Sequence, residues 1–529
     1  MPPRSDSLTI GKWVEARVNQ GMITSIDAAD IPTSAMQRVL NARVRYDKTQ
    51  RRNGYVPFRT RLSDAASVVT KPDSSRVLKV ATLKDNEGNA YTFRLAPGKV
   101  HVLDSGVWAE VTPVTTAIAG GNNDRYKTVV FNNQFVFANN GMDYIQIVDP
   151  AAKTYDRLGN APKYKYITGF ADRIVGAYRT DGGSHAVDVG WCANGIPTQW
   201  NNAVDNSAGA TPLAGSPSDF ADYITGIFNV NNALVVPRER SIWLATRNPI
   251  ASNPFNFYNA VPGIGCNAPY SAAPFEGGLC FFDPRTNTVW AYQLGSQPES
   301  IGRPIDKELP KNIDDPANVF GSYNPIENEY IVFIQAAGSN LVKAWTFNFR
   351  TKSWSYDEIP NICCADDPDV SAGYTAIDDL LGTIDNLVGT IDELSPTNQV
   401  IPSRILGQTT GDILQEFADA TDDAGTEYVT ELESKLFEAP EEDIVVAEVR
   451  AEIYATRACT LNLYISKNKG PYVLVRGPEV INTLERTVLF KFKKQFRSRQ
   501  FSFKLTGTGG QFAFMKYEVH AFMSGESKR

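Results

Sequence analysis

The residues that most often do chemistry in proteins are sparse and scattered in this chain. Its three histidines, His101, His185 and His520, lie far from one another, and none lies near a cysteine at the spacing of a zinc site. None of the cysteines forms a C-x-x-C pair, so we expect buried free thiols and no metal. The six cysteines are Cys192, Cys266, Cys280, Cys363, Cys364 and Cys459.

Sequence phrases of known catalytic sites are missing as well. The chain has no nucleophile elbow, no phosphate-binding glycine loop and no H-E-x-x-H motif. Carboxylates are plentiful, but a glycosidase needs two that face each other across a pocket, which a sequence does not reveal. We therefore expect no catalytic residues and no cofactor, and we predict that the protein is not an enzyme.

An acidic run, Asp419–Gly425, allows two interpretations. Its spacing hints at a calcium-binding loop. Its glycine, however, comes one place late, and the twelfth position is Thr430 where a calcium loop needs glutamate. A polar turn between two strands explains the run better.

A basic stretch near the C-terminus interleaves lysine and arginine with phenylalanine. Such a pattern fits either a stacking platform for single-stranded nucleic acid or a strand with one face in the core and one in solvent, and we favour the core. The phenylalanines change from even to odd positions between Phe496 and Phe501, which predicts a bulge or turn near Ser498. The stretch contains Phe490, Lys491, Phe492, Lys493, Lys494, Phe496, Arg497, Arg499, Phe501, Phe503 and Lys504.

Composition indicates a large β-rich protein. Of 529 residues, 42% are hydrophobic and 21% charged, and 39 glycines and 31 prolines supply many turns. The formal net charge of -7 suits a surface to which nucleic acid does not adhere. Because no apolar run approaches the ~20 residues that cross a bilayer and residues 1–6 lack a signal-peptide core, we expect synthesis in a cytoplasm and no integral membrane association.

The stretch from Val319 to Pro360 is the clearest structural unit. Its short strands are rich in β-branched and aromatic residues and are separated by polar turns, as in an ordinary meander or a propeller blade. Similar units recur at spacings near 35 to 45 residues, which favours the propeller. Trp345, Phe347 and Trp354 then pack between blades.

Six blades are clear by this pattern, and the remaining strands leave the count open. Residues 405–417 and 427–437 form either a seventh blade or the closing strands of an incomplete first blade. We predict an all-β protein in three parts. These are an N-terminal docking segment at 1–60, a β-propeller of about six to seven blades at 61–440, and a C-terminal β-sandwich at 441–529.

A strap inserted at 372–396 carries two apolar stripes with a seven-residue repeat. The stripes suit a helix, but Gly382 and Gly389 each cost a helix about 1 kcal/mol, so a partner-dependent loop is the preferred form. The stripe residues are candidate interface positions. They are Ile377, Leu380, Ile384, Leu387, Ile391 and Leu394.

The N-terminal segment carries a phrase of the form D-x-x-D-[IL]-P, L-N-x-R and [KR]-R-x-G-Y. In this order and spacing it resembles the opening of the tail nozzle or hub proteins of short-tailed phages (podoviruses), which continue into a propeller. A second phrase, Val189–Trp200, resembles a blade of the same proteins. The resemblance makes seven positions candidate assembly residues. They are Asp30, Pro32, Asn41, Arg43, Arg52, Gly54 and Tyr55.

The resemblance implies a virion structural protein. Six copies would form a ring below the head–tail connector and conduct double-stranded DNA during ejection. Expected partners are the connector or adaptor ring, a tail fibre or tailspike, and a plug or needle protein. The expected location is the virion tail, assembled in the host cytoplasm. The alternative is a tail-associated propeller that binds glycans or degrades polysaccharide.

Overall fold

The protein is built almost entirely of β-strands in a computed structural model. Its helical segments, among the residues described, are the 3-10 turns Ala65–Ser67, Arg303–Ile305 and Pro316–Asn318. No helix in this part of the chain is long and apolar enough to span a bilayer. The described residues are 11–45, 48–60, 65–85, 90–183, 185–214, 221–339, 341–366, 369–371, 400–402, 404–418, 420–438, 443–482, 486–492 and 495–523.

The first five strands belong to three different sheets. They are β1 (Gly11–Arg17), β2 (Met36–Leu40), β3 (Ala42–Arg45), β4 (Lys48–Arg51) and β5 (Gly54–Pro57). Of these, β3 and β4 form a hairpin, while β1, β2 and β5 pair only with strands hundreds of residues away.

Six blades follow, each a meander of four antiparallel strands. The first three comprise β6 (Lys79–Lys84), β7 (Ala90–Ala96), β8 (Lys99–Asp104), β9 (Val107–Pro113); β10 (Tyr126–Phe131), β11 (Gln134–Asn139), β12 (Gln146–Asp149), β13 (Thr154–Arg157); and β14 (Tyr164–Phe170), β15 (Arg173–Arg179), β16 (His185–Trp191), β17 (Gly209–Pro212). The next three comprise β18 (Phe228–Val230), β19 (Ala233–Pro237), β20 (Ser241–Arg247), β21 (Phe255–Pro262); β22 (Ala273–Phe275), β23 (Gly278–Asp283), β24 (Thr288–Gln293), β25 (Glu299–Ser300); and β26 (Phe320–Asn324), β27 (Glu329–Gln335), β28 (Leu341–Asn348), β29 (Ser353–Pro360).

A seventh blade completes the propeller. It contains β30 (Ile362–Asp366), a two-stranded ribbon of β31 (Asp369–Ser371) and β32 (Val400–Pro402), then β33 (Ile405–Gln408) and β34 (Ile413–Phe417). Its outermost strand is β5, which pairs with β34 and so joins the start of the chain to the last blade. The inner strands β6, β10, β14, β18, β22, β26 and β30 contact one another in that order, and β30 contacts β6. The ring is therefore closed, as edge protection requires.

The rest of the chain forms a sandwich of two sheets. The strands that follow the seventh blade are β35 (Asp422–Asp423), β36 (Thr426–Glu427), β37 (Thr430–Ser434), β38 (Phe437–Glu438), β39 (Ile444–Ala455), β40 (Cys459–Lys467), β41 (Val473–Ile481), β42 (Arg486–Phe492), β43 (Phe496–Ser498), β44 (Gln500–Gly509) and β45 (Phe512–Met523), and those from β37 onward form the sandwich. One sheet has the order β3-β4-β45-β39-β42, with β1 beside β45 and β43 beside β39. The other, β37-β44-β40-β41, continues through β2 into the sixth blade. The hairpin β35–β36 and its bridge to β5 belong to the seventh blade's sheet.

The predicted strand character of the C-terminal phenylalanines is confirmed. Phe492, Phe496, Phe501 and Phe503 are buried in the sandwich core. Their change of parity arises because the chain crosses from one sheet to the other near Arg499, so that β43 pairs with β39 and β44 with β40.

The sandwich and the sixth blade share one hydrophobic core. Trp345 and Trp354 of the blade lie in the same buried cluster as Phe282 of the fifth blade and as Val446 and Phe501 of the sandwich. Trp354 also donates its indole N–H to the carbonyl of Ile301 at 2.8 Å. The aromatic residues of the sixth blade are thus packing residues, as the sequence predicts.

Candidate functional site

The N-terminal motif residues converge where the propeller meets the sandwich. Arg43 lies on β3 of the sandwich, and Arg52 lies between β4 and β5. Both side chains are buried, and they reach carboxylates contributed by segments hundreds of residues away. We call this group, namely Asn41, Arg43, Arg52, Glu329, Asp357 and Asp423, the joint; all but the half-buried Asp423 are buried.

Asp357 receives the guanidinium of Arg43 in a two-pronged ion pair. The Nη1 of Arg43 donates to Oδ1 of Asp357 at 2.8 Å, and Nη2 donates to Oδ2. The Nε of Arg43 lies 3.6 Å from Oε2 of Glu329, a neighbour of Asp357 in the sixth blade. Because Arg43 belongs to the sandwich, this pair fixes the sandwich against the blade.

Arg52 makes the matching contact to the segment that follows the seventh blade. Its Nη1 and Nη2 donate to the two carboxylate oxygens of Asp423 at 2.8 and 2.5 Å. Its Nε lies 3.5 Å from Oδ1 of Asp357, so the two ion pairs form one network. The guanidinium also lies 3.8 Å from the ring centroid of Tyr428, a cation–π distance.

Electrostatics keeps both arginines charged despite their burial. Desolvation alone would lower the pKa of each guanidinium. The carboxylates of Asp357 and Asp423 outweigh this effect and raise the pKa of Arg43 and of Arg52 above the ordinary value. Tyr55 is an acid, so burial raises the pKa of its phenol. The nearby Arg404 and Arg52 offset this effect only in part, and the phenol stays neutral.

Asn41 connects three backbones at the joint. It takes a left-handed conformation, with φ of 53°, between β2 and β3. Its backbone N–H donates to the carbonyl of Tyr356 at 2.8 Å, and its side-chain amide donates to the carbonyl of Val429 at 2.8 Å. Asparagine suits this position because it tolerates a positive φ and still offers a side-chain donor.

Gly54 is required by close packing rather than by a turn. A Cβ at this position would lie 2.1 Å from the carbonyl oxygen of Asp422 and 3.0 Å from the Cβ of Ala420. The next residue, Tyr55, is buried in β5, and its carbonyl accepts from Ala424 at 2.7 Å. The glycine therefore lets the closing strand of the ring approach the acidic hairpin. The described part of the predicted run includes the turn of that hairpin, which joins β35 to β36, and Asp419 lies outside the described residues.

The other two predicted assembly positions, Asp30 and Pro32, are exposed. They lie in a loop that borders a pocket of about 350 Å³ beside the joint. The pocket also includes Lys343 and Tyr356 of the sixth blade and Glu433 of the sandwich. Asn41, Arg43, Arg52, Gly54 and Tyr55 instead make contacts within the chain, and a direct contact of theirs with a partner stays a prediction.

The predicted division into a docking segment, a propeller and a sandwich needs restating in terms of strands. Residues 11–57 contribute β1, β3 and β4 to one sandwich sheet, β2 to the link with the sixth blade, and β5 to the seventh blade. The apolar spacing of Ala35–Leu40 predicts a short helical turn, and this prediction is wrong, because Met36–Leu40 form β2 and pair with β37. The strap at 372–396, with all six stripe residues, lies outside the described residues.

Several residues of the joint escaped sequence analysis. Asp357 and Glu329 carry no motif, since each is a single carboxylate in a strand. Asp423 belongs to the acidic run at 419–425, which the sequence presents as a turn and not as the partner of an arginine. A usable signal is the density of arginine in the N-terminal segment, because a buried guanidinium needs a carboxylate partner. All six cysteines are free and buried, as predicted. The described residues contain no group of three potential metal ligands.

Comparisons with known proteins give only distant likenesses. No family model and no curated protein matches this chain. A quinoprotein alcohol dehydrogenase-like protein from Bacteroides thetaiotaomicron is 9% identical over 53% of this chain and 66% of its own, with a TM-score of 0.33. The extracellular domain of a putative hybrid two-component system from the same organism is 11% identical over 86% and 60%, with a TM-score of 0.38.

An exo-β-1,3-galactanase from Phanerochaete chrysosporium is 11% identical over 89% of this chain and all of its own, with a TM-score of 0.26. This chain spans less than two thirds of the length of the first two proteins. At such scores the likenesses carry no functional information. The class of protein therefore follows from the chain's own strand order, which defines a seven-bladed propeller merged with a β-sandwich.

Proposed function

We propose that this chain is a structural subunit of a phage tail, a nozzle or hub that forms a ring around the DNA exit path. The observation that carries the proposal is the joint. The phrase that resembles podovirus nozzle proteins supplies Asn41, Arg43 and Arg52, and these residues tie the propeller to the sandwich through hydrogen bonds of Asn41 and ion pairs of the two arginines. A ring that transmits force during DNA ejection needs subunits whose domains do not move against each other.

The surface charge is compatible with this role. The chain carries 52 lysines and arginines against 59 aspartates and glutamates, and the difference, 52 minus 59, gives the net charge of -7. A mildly acidic ring repels DNA along its wall and does not retain it. The proposed partners are the connector or adaptor ring, a fibre or tailspike and a plug, and the proposed location is the virion tail.

The exposed loop around Asp30 and Pro32 is the proposed contact between subunits or with the connector. It borders a pocket to which the N-terminal segment, the sixth blade and the sandwich all contribute. Ile26 lines this pocket and is 44% exposed. An exposed isoleucine beside charged residues such as Arg38 and Lys343 is suited to a protein interface with an apolar centre and a polar rim.

The test is the oligomeric state of the full chain. Light scattering after size exclusion and negative-stain images are expected to show a ring of about six copies with a central opening. The substitution Ile26→Asp is expected to yield monomers with unchanged thermal stability, and Val204→Asp, at another exposed apolar position, is the matched control. A stable wild-type monomer that binds or cleaves polysaccharide would contradict the proposal and support the glycan-directed alternative.

A further inference from the structure

A second cluster of charged residues lies at neighbouring inner strands of the propeller. Its basic members lie on or just before β6 and β10, the inner strands of the first and second blades, and β30 of the seventh blade contacts β6. Four of its members are basic. We call Arg76, Lys79, Arg125 and Lys127 the axial basic cluster.

Arg125 is the most buried member and is incompletely satisfied. Its side chain belongs to a residue that is only 3% exposed. Its Nη1 donates to the carbonyl oxygen of Cys363, but its Nε and Nη2 have no hydrogen-bond partner among the described residues. Burying a guanidinium with two N–H donors that lack an acceptor is unfavourable in free energy, unless a bound acceptor completes the hydrogen bonds.

The two donors without a partner, Nε and Nη2, are the pair that can bind an oxyanion. The N–H groups of Nε and Nη2 project from the same edge of a guanidinium and form a fork. This fork matches two oxygens of a carboxylate or a phosphate. The carbonyl of Cys363 accepts from Nη1 and so orients the guanidinium, while the two donors of the fork have no acceptor among the described residues.

Nearby groups supply positive charge without matching carboxylates. Lys79 is paired with Asp366. Lys127 lies 5.4 and 5.3 Å from the ring centroids of Phe228 and Tyr270, and the described residues offer it no ion pair. Among the described residues, Asp366 pairs with Lys79 and interacts electrostatically with Lys127, and no ion pair is seen for Arg76 or Arg125.

The pKa values of Lys127 and Cys363 are both influenced by the positive charges of this cluster. Burial, together with repulsion from Lys79 and Arg125, lowers the pKa of Lys127 to about 8, although Asp366 and Cys266 partly offset the shift. At Cys363 burial opposes ionisation, yet a hydrogen bond from Cys364 and the charges of Arg76 and Arg125 lower the pKa of the thiol. The charges of the basic residues thus contribute to both pKa shifts.

We propose that the axial basic cluster binds a small oxyanion, held by the open fork of Arg125 with Lys127 and Arg76 beside it. The ligand class is a phosphate, a sulfate or a small carboxylate, since each presents two oxygens to the fork. The site is independent of the proposed function, because it lies within one propeller and needs no second subunit.

Isothermal titration of the full-length protein with inorganic phosphate tests the site directly. The experiment is run at constant ionic strength in an amine buffer with chloride, and sulfate and acetate titrations distinguish tetrahedral from carboxylate ligands. We expect saturable binding of at least one of the three anions at one site per chain. The absence of saturable binding for all three would overturn the proposal.

Two variants separate the fork from simple charge. Arg125→Lys keeps the charge and removes the fork, and Lys127→Met removes a charge from a half-buried position. Each is expected to weaken binding by at least about tenfold, whereas Lys153→Met, an exposed lysine paired with Asp104, leaves it unchanged. If Arg125→Lys fails to fold, Lys127→Met alone decides, and affinity equal to that of Lys153→Met would overturn the proposal.

Discussion

Arg43 and Asp357 are 314 residues apart in the chain and form a buried two-pronged ion pair. Arg43 comes from a sandwich strand and Asp357 from the outer strand of the sixth blade, so the pair joins two domains. Sandwich and propeller also share a sheet and a hydrophobic core. The ion pair therefore selects one orientation between surfaces that are already attached.

The substitution Asp357→Asn tests how much the joint contributes to stability. It leaves the buried guanidinium of Arg43 without its main counter-ion and also removes a charge near Arg52. Breaking one side of a buried pair typically costs about 3–5 kcal/mol, and we expect a loss of this size in the free energy of unfolding by urea.

The matched control is Asp172→Asn, which breaks an exposed pair with Arg247 at 3.4 Å. Exposed pairs contribute about 0–1 kcal/mol, so this variant is expected to unfold like the wild type. Equal losses in both variants would mean that the joint is not a special source of stability.

Gly54→Ala tests how closely β5, the strand that closes the ring, must pack against the acidic hairpin. The added methyl group meets the carbonyl oxygen of Asp422 at 2.1 Å, so β5 or the acidic hairpin must move. Forcing a methyl group into occupied space costs about 1–3 kcal/mol, and we expect the melting temperature to fall accordingly. Gly121→Ala is the control, since its Cβ would meet nothing closer than 3.9 Å. An unchanged melting temperature for Gly54→Ala would show that the closure tolerates the shift.

The blades could be predicted from the sequence, but the strand that closes the ring could not. Each blade is a local meander, so a pattern of apolar strands and turns within about 40 residues predicts it. The seventh blade needs β5, whose pairing with β34 spans more than 350 residues. Local patterns do not encode such a partner, which is why 1–60 resembled a separate segment.

The motif residues illustrate the same limit. Arg43 and Arg52 were identified as special, but their carboxylate partners Asp357 and Asp423 were not. Arginine density is visible in one segment, whereas the partner of each arginine depends on how distant strands are brought together. Likewise, Met36, Val39 and Leu40 have helical spacing, but tertiary pairing with β37 makes them a strand.

Glu433→Gln tests the burial of an acid beside the joint. Glu433 accepts a hydrogen bond from the hydroxyl of Tyr472 at 2.8 Å, and burial raises its pKa despite that bond. The folded state therefore holds this proton to a higher pH than the unfolded state. Ionisation of Glu433 weakens the fold as pH rises from the ordinary glutamate pKa through the raised value.

Glutamine keeps the acceptor for Tyr472 and removes the ionisation. We expect Glu433→Gln to be more stable than the wild type at pH 7.5, with a smaller difference at pH 4.5, by urea unfolding. Glu479→Gln, in an exposed pair with Arg476, is the control. A difference that does not depend on pH would indicate a packing effect of the amide rather than the predicted titration.

The axial basic cluster predicts a pH dependence of the opposite sign. Lys127 has a pKa of about 8 in the folded protein, against about 10.4 in an unfolded chain. Below pH 8 both states carry the charge, and the folded state bears the repulsion from Lys79 and Arg125. Between pH 8 and 10 the folded state loses this proton first, so stability rises relative to a chain without Lys127.

We therefore expect the free energy of unfolding of the wild type, measured against that of Lys127→Met, to increase from pH 7.5 to 10 in amine buffers with chloride. Lys153→Met serves as the exposed-lysine control. Saturating phosphate should remove most of this increase, because an anion in the fork of Arg125 offsets the repulsion and restores the charge on Lys127. A pH dependence that persists unchanged in phosphate would place the anion elsewhere, since only a negative charge within reach of Lys127 alters its titration.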